Sequence, residues 1–185
     1  MDISGVILSG GKSTRMGKNK CLLNYKNKTF LDLQIEKLSK ICSTVFVSSS
    51  PTNKYNYKNI IIDLFNEKGP VSGIFSALKH IETDYAVFLP CDMPFVSESA
   101  IKKLIDNRNN YDAVVAVFNK KVYPVFAVYS KKCLSVIENQ INKKNYKLLD
   151  ILNSVNTNFL EFSDNYKQSF TNINTTDDYN NLLNE

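Results

Sequence analysis

The sequence predicts a single-domain α/β protein built on a mostly parallel sheet with helices on both faces. Three observations predict it. Through the first part of the chain, short apolar runs alternate with stretches whose apolar residues recur at helical spacing, the pattern of a parallel sheet with crossover helices. The links between these runs are short, and right-handed crossovers then bring the strand ends to one edge. No shift of composition, repeat or low-complexity segment marks an internal boundary, and 185 residues suffice to bury one self-sufficient core.

The first strand is the apolar run at residues 5–8, which gives way at Ser9-Gly10-Gly11 to a loop where no side chain obstructs the main chain. A helix over 30–41 follows, with Leu31, Ile35, Leu38 and Ile41 as its stripe. Its acids, Asp32 and Glu36, precede its lysines, Lys37 and Lys40, the order the macrodipole favours. Val45-Phe46-Val47 is the second strand and runs out into Ser48. The Asn- and Lys-rich link at 52–59 reads as a flexible loop. Ile60-Ile61-Ile62 is the third strand and closes on Asp63; a turn at 67–73 then delivers a helix over 72–81, capped by Ser72. The most hydrophobic run, 85–90, is the central strand and ends in Cys91-Asp92-Met93-Pro94. Ser97 caps a helix over 97–107. Strands at 113–118 and 125–129 are joined by Asn119-Lys120-Lys121, too short for a crossover, so they form a hairpin. Helices at 133–141 and 145–152, a strand at 157–162 and a last helix capped by Asn174 or Thr175 complete the chain.

Composition excludes several function classes. A net charge of +5 with scattered lysines favours anionic small molecules over a nucleic-acid face. Four widely spaced cysteines without a Cys-x-x-Cys pair, and a single histidine, argue against a zinc site and for a reducing cytosol. That histidine, His80, reads as a surface residue at a helix end, with no catalytic role. No apolar run approaches the ~20 residues needed to span a bilayer, and residues 1–4 lack a cationic leader. The expectation is a cytoplasmic protein with no membrane and no nucleic-acid partner.

The parallel topology brings the loop after Leu8, Ser48, Asp63 and Asp92 to one edge, where open α/β sheets bind ligands. Ser9-Gly10-Gly11 offers exposed amides that suit phosphate oxygens, and Lys12, Arg15, Lys18 and Lys20 can gather round the same anion. A glycine pair after a strand is otherwise only a turn. Two familiar phosphate loops do not match: Gly5, Gly10 and Gly11 break the Gly-x4-Gly-Lys spacing, and Gly10, Gly11 and Gly17 break Gly-x-Gly-x-x-Gly. The stretch reads as a triphosphate-binding loop of another kind. Asp92, set between Pro90 and Pro94, is a hard oxygen donor of the sort Mg²⁺ takes alongside phosphates. Its alternative as a helix cap is already filled by Ser97.

Leu8-Ser9-Gly10-Gly11-x3-Arg15-Met16-Gly17-x2-Lys20, with Cys91-Asp92-x-Pro94 and Asn172-x-Asn174-Thr175, resembles the MobA-like nucleotidyltransferases, specifically the molybdenum cofactor guanylyltransferases. The resemblance runs over about residues 3–183. It implies a Rossmann-like sheet of the nucleotide-diphospho-sugar transferase type and one nucleotidyltransferase domain over 1–185. The implied reaction moves GMP from GTP to the phosphate of Mo-bound molybdopterin, releasing pyrophosphate, with Mg²⁺ as cofactor. Arg15, Lys20 and Asp92 are then catalytic, with Asp92 the metal ligand. Leu8, Ser9, Gly10, Gly11, Lys20, Ser48, Asp63 and Asp92 bind the nucleotide. Ser9-Gly10-Gly11 sides with guanine, since cytidylyl relatives more often carry Ala-Ala-Gly there. Tyr123-Pro124 and Asn172 to Asn174 are the candidates for the molybdopterin side, and proteins that deliver or accept the cofactor are further partners. Two departures stand out: Ser48 replaces an Asn common in the family, and the loop from Gly17 to Lys20 is short. The alternatives are a cytidylyltransferase for molybdopterin or a sugar or polyol phosphate, and a GTP-binding module without turnover.

Overall fold

The computed structural model describes residues 2–9, 19–53, 55–65 and 68–184. Gly10, Gly11 and Arg15, expected at the site, lie outside the described residues, as do Lys12 and Lys18. In chain order the elements are β1 (Ser4–Leu8), a small hairpin of β2 (Asn24–Tyr25) and β3 (Lys28–Thr29), α1 (Phe30–Ser39), β4 (Thr44–Ser49) and β5 (Ile60–Ile62). Then come α2 (Pro70–His80), β6 (Tyr85–Pro90), α3 (Glu98–Asp106), β7 (Ala113–Phe118) and β8 (Lys121–Ser130). The chain closes with α4 (Leu134–Asn142), α5 (Leu148–Leu152), β9 (Thr157–Glu161) and α6 (Thr176–Leu183).

Seven strands form one sheet in the order β5-β4-β1-β6-β8-β7-β9. Neighbours are parallel except at β8, which runs against both β6 and β7. The mostly parallel α/β sheet expected from the sequence is the observed one. Alternation along the buried strands serves two cores. Ile7, Val87 and Leu89 face α1, α3 and α6, while Val6, Leu8 and Phe88 face α2, α4 and α5. From β1 the chain crosses to β4 and β5 on one side and returns to β6 on the other, so the gap between β1 and β6 is the topological switch point.

Local chemistry explains most boundaries. Thr29 caps α1 in a reciprocal box with Asp32, and Ser97 caps α3 as expected. Thr175, not Asn174, caps α6, paired with Asp178. The β7–β8 hairpin turns through Asn119 and Lys120, both at positive φ (49° and 62°), as a two-residue turn matching strand twist requires.

Other boundaries move from their expected places. The helix expected from Ser72 begins at Pro70, because Gly69 takes φ 67° and proline is preorganised for the first helical position. Ser72 Oγ instead accepts a hydrogen bond from Phe65 N at 3.1 Å. The helix expected over 145–152 is confined to Leu148–Leu152, since Lys144 turns left-handed (φ 58°) and Asn145 Oδ1 accepts from Lys147 N. The second hairpin strand is longer than its apolar run and begins at Lys121, with a register shift opposite Pro124, which has no N–H to give. The link at 52–59 is tied to the body: Tyr57 OH and Asn59 Nδ2 both donate to Val45 O, and Asn19 Nδ2 donates to Tyr55 OH at 2.7 Å.

Candidate active site

Leu8 is in register with Ser48 on one side and Pro90 on the other, so three strand ends leave the sheet side by side. Backbone and side-chain bonds stitch them together. Cys91 N donates to Leu8 O at 3.3 Å, and Ser9 donates to Ser48 O from both its N and its Oγ, at 3.0 and 2.7 Å. Two side-chain clusters sit on this edge.

The first is a cation–carboxylate pair at the switch point. Lys20 opens a short 3₁₀ turn capped by Asn19 Oδ1, which accepts from Cys21 N at 3.0 Å. Its Nζ lies 3.6 Å from Asp92 Oδ2, just beyond β6, and donates to Asn174 Oδ1 at 2.8 Å. Asn174 stands 154 residues further along the chain. Ile173 N, next to it, donates to Asp92 O at 2.8 Å. The two charged side chains keep 20% and 30% of their surface exposed, close enough to pair and open enough to meet a ligand. Among the described residues no three His, Cys, Asp or Glu side chains cluster as a metal cage. Asp92 alone fits a hard cation that draws its remaining oxygens from a phosphate ligand and water, the way Mg²⁺ is usually held.

Cys21 and Cys91, the neighbours of Lys20 and Asp92, meet at this pair with Cα atoms 5.5 Å apart, within the span that a disulfide can bridge. Their separation of 70 residues hid this pairing from the spacing rules, which pointed to a chain without cross-links. Cys42 and Cys133 are free, and burial pushes both thiols up to about 12, so neither is a nucleophile.

The second cluster lies beyond β4. Ser48 Oγ donates to Asp63 Oδ1 at 2.6 Å, while Asp63 N donates to Ser49 O at 2.9 Å. Burial pushes the Asp63 carboxyl above its usual range, against the opposing pull of the Ser48 hydrogen bond. Helix α2 comes so close here that a Cβ on Gly73 would sit 2.5 Å from Ser48 Oγ and 2.8 Å from Leu8 Cδ2. Glycine is therefore required for the approach, not for its backbone freedom.

The structure thus brings together Leu8, Ser9, Lys20, Ser48, Asp63 and Asp92. His80 stays exposed at the end of α2, edge-on to Phe46 with ring centroids 5.3 Å apart, away from both clusters. On the expected acceptor side, Asn172 Nδ2 donates to Phe170 O at 3.4 Å, and the Tyr123 and Phe170 ring centroids lie 4.9 Å apart. Sequence reasoning missed the hold of Asn174 on Lys20 and the Cys21–Cys91 pair. The motif Asn-x-Asn-Thr was the available signal for the first, because its caps account for Thr175 and leave its asparagines unexplained.

A cation–carboxylate pair and a Ser–Asp pair at the carboxyl edge of a mostly parallel sheet define an α/β nucleotide-handling protein. The chain belongs to the MobA-like NTP transferase family, whose domain model matches residues 5–157. It is 34% identical over 179 residues to a probable molybdenum cofactor guanylyltransferase of Flavobacterium johnsoniae, covering 95% of this chain and 94% of that protein. A protein of the same name from Natranaerobius thermophilus is 33% identical over 192 residues, covering 96% and 93%. The crystal structure of molybdopterin-guanine dinucleotide biosynthesis protein A from Archaeoglobus fulgidus has the same fold, with a TM-score of 0.84 at 24% identity over 98% of this chain and 97% of that one.

Proposed function

We propose that this chain transfers GMP from GTP to the phosphate of Mo-bound molybdopterin, forming the guanine dinucleotide form of the molybdenum cofactor and releasing pyrophosphate. The observation that carries the reading is the Lys20–Asp92 pair, 3.6 Å apart at the switch point of the sheet. The names of the relatives support the substrate assignment.

In this reaction an oxygen of the acceptor phosphate bonds to the α-phosphorus of GTP, and the bond from that phosphorus to the β-phosphate oxygen breaks. The attacking phosphate is already anionic near neutral pH, so no general base is required. The protein's task is alignment and charge neutralisation, generally the largest catalytic contributions. Lys20, held by Asn174, faces the charge that develops at the α-phosphate. Asp92 would hold Mg²⁺, which when bound neutralises phosphate oxygens and orients them. Arg15 and the amides of Gly10 and Gly11 would hold the β- and γ-phosphates.

Leu8, Ser9, Ser48 and Asp63 form the base and ribose side. Ser48 is buried and its hydroxyl is committed to Asp63, so it acts by aiming that carboxylate. Residues 1–185 work as one nucleotidyltransferase domain, because Ile173 and Asn174, past the end of the family match, complete the Lys20–Asp92 cluster. We place the protein in the cytoplasm, with GTP, molybdopterin and proteins that deliver or accept the cofactor as partners. Among the described residues no helix is long and apolar enough to cross a membrane.

The test is pyrophosphate release by the purified chain supplied with Mo-molybdopterin, Mg²⁺ and each of the four nucleoside triphosphates in turn. GTP should be preferred; a preference for CTP overturns the guanine assignment, and GTP binding without release overturns the transferase reading. Asp92→Asn should slow the reaction by about 10²–10³.

A further inference from the structure

Helix α1 carries one fully buried polar residue, Gln34. It stands with Phe30, Leu31 and Leu38 on the buried face of the helix. Burying an amide is costly unless it is hydrogen-bonded, and Gln34 is only half compensated. Its Oε1 has no partner among the described residues, whereas its Nε2 donates to Met93 O at 2.7 Å and to Pro90 O at 3.4 Å. Those two carbonyls bracket Cys91-Asp92. The amide is therefore kept for its donor end, and both donors go to the turn that carries the aspartate.

The turn needs outside help to hold its shape. Pro90 and Pro94 contribute no N–H, and the internal bonds, Met93 N to Pro90 O and Val96 N to Met93 O, are both long at 3.4 Å. The shorter contacts come from elsewhere: Gln34 to Met93 O, Ile173 N to Asp92 O, and Lys37 Nζ, one helical turn after Gln34, to Pro94 O. Helix α1 thus fixes the turn from below at Pro90, Met93 and Pro94, while the Asp92 side chain stays free to face Lys20.

We propose that Gln34 is a positioning residue for the metal-binding aspartate: through Pro90 O and Met93 O it sets where the Asp92 carboxylate stands opposite Lys20. It touches neither substrate nor metal. The inference rests on the reading of Asp92 as the Mg²⁺ ligand. Groups that orient a ligand from behind typically change metal affinity by about 10–100-fold when removed.

The experiment compares the wild type with Gln34→Met, which keeps the length and loses the donors, Gln34→Asn, which pulls the amide back by one methylene, and Asp92→Asn. Mn²⁺ binding in the presence of GTP is followed by electron paramagnetic resonance, Mg²⁺ dependence by pyrophosphate release, and folding by thermal melting. For both Gln34 variants, metal affinity should fall by about 10–100-fold, with turnover recovered at high Mg²⁺, the KM for GTP within about twofold and cooperative melting retained. A folded Gln34 variant with wild-type metal affinity overturns the inference. If Gln34→Met does not fold, Gln34→Asn decides alone, and a fall in melting temperature without a change in metal affinity in that variant also overturns it. If Asp92→Asn itself binds Mn²⁺ as the wild type does, the ligand reading fails and this inference fails with it. If only Asp92→Asn loses the metal, the ligand reading stands and Gln34 is merely structural.

Discussion

Lys37 sits in the last turns of α1, and burial pushes its ammonium down to about 8 from an ordinary 10.5, against the opposing pull of Glu98 and Glu36. The sign of its effect on stability follows from proton counting. Below about pH 8 both folded and unfolded chains hold the proton, and the cost of burying the charge is fully present. Between about 8 and 10.5 the folded chain releases its proton while the unfolded chain keeps it, so this residue makes the protein more stable as pH rises. Thermal melts across that range should show the wild type gaining on Lys37→Met, whose neutral side chain removes the effect while other groups titrate in both. A difference that stays flat with pH contradicts it. Asp63 has the same cause acting on an acid: burial favours its neutral form, and the Ser48 hydroxyl opposes the shift. Helical periodicity placed Lys37 near the end of its helix, but nothing local showed that it would be buried against Pro94.

At the scale of elements, the site is made where segments end. The turn after β6 and the 3₁₀ turn after Asn19 are each too short to hold their own shape, and Cys21 meets Cys91 where the two turns come together. Oxidising the two thiols to a disulfide would close a separation of 70 residues and stabilise the chain by about 4 kcal/mol, chiefly by restricting the unfolded state. A reducing cytosol favours the dithiol form, so the effect belongs to the purified protein in oxidising buffer. Adding a reductant there should lower the melting temperature by several degrees and raise the thiols titratable in denaturant from two to four. An unchanged melting temperature on reduction would show that the link constrains nothing. Helix α2 illustrates a different kind of boundary. Its apolar stripe was readable, but its start was decided by Gly69 and Pro70, two residues whose backbone preferences outweigh the capping hydroxyl of Ser72.

For the molecule as a whole, the first third of the chain supplies the cation, the middle supplies the carboxylate and the last residues lock them together. Asn174 Oδ1 accepts from Lys20 Nζ, and Asp178, which accepts from Asn174 N and Thr175 N, keeps that asparagine in place at the start of α6. Those backbone bonds hold the Asp178 carboxyl below its usual range. Replacing Asn174 by Ala should free the lysine and lower kcat by about tenfold, in line with the worth of one hydrogen bond to a charged group. Steady-state kinetics with GTP, together with a melting temperature near the wild type's, would check this. Loss of stability with kcat intact would make Asn174 a structural residue and nothing more.

The sequence by itself determined the sheet, its parallel character through β6, and the convergence of Leu8, Ser48, Asp63 and Asp92 on one edge. Each of these depends on periodicity and chain direction, which are local properties carried by neighbouring residues. Only the tertiary structure decided that Asn174 holds Lys20, that Cys21 meets Cys91, and that Gln34 reaches the Met93 carbonyl 59 residues away. Such contacts depend on distances between segments far apart in the chain, set by how helices pack on the two faces of the sheet, and no local pattern encodes them.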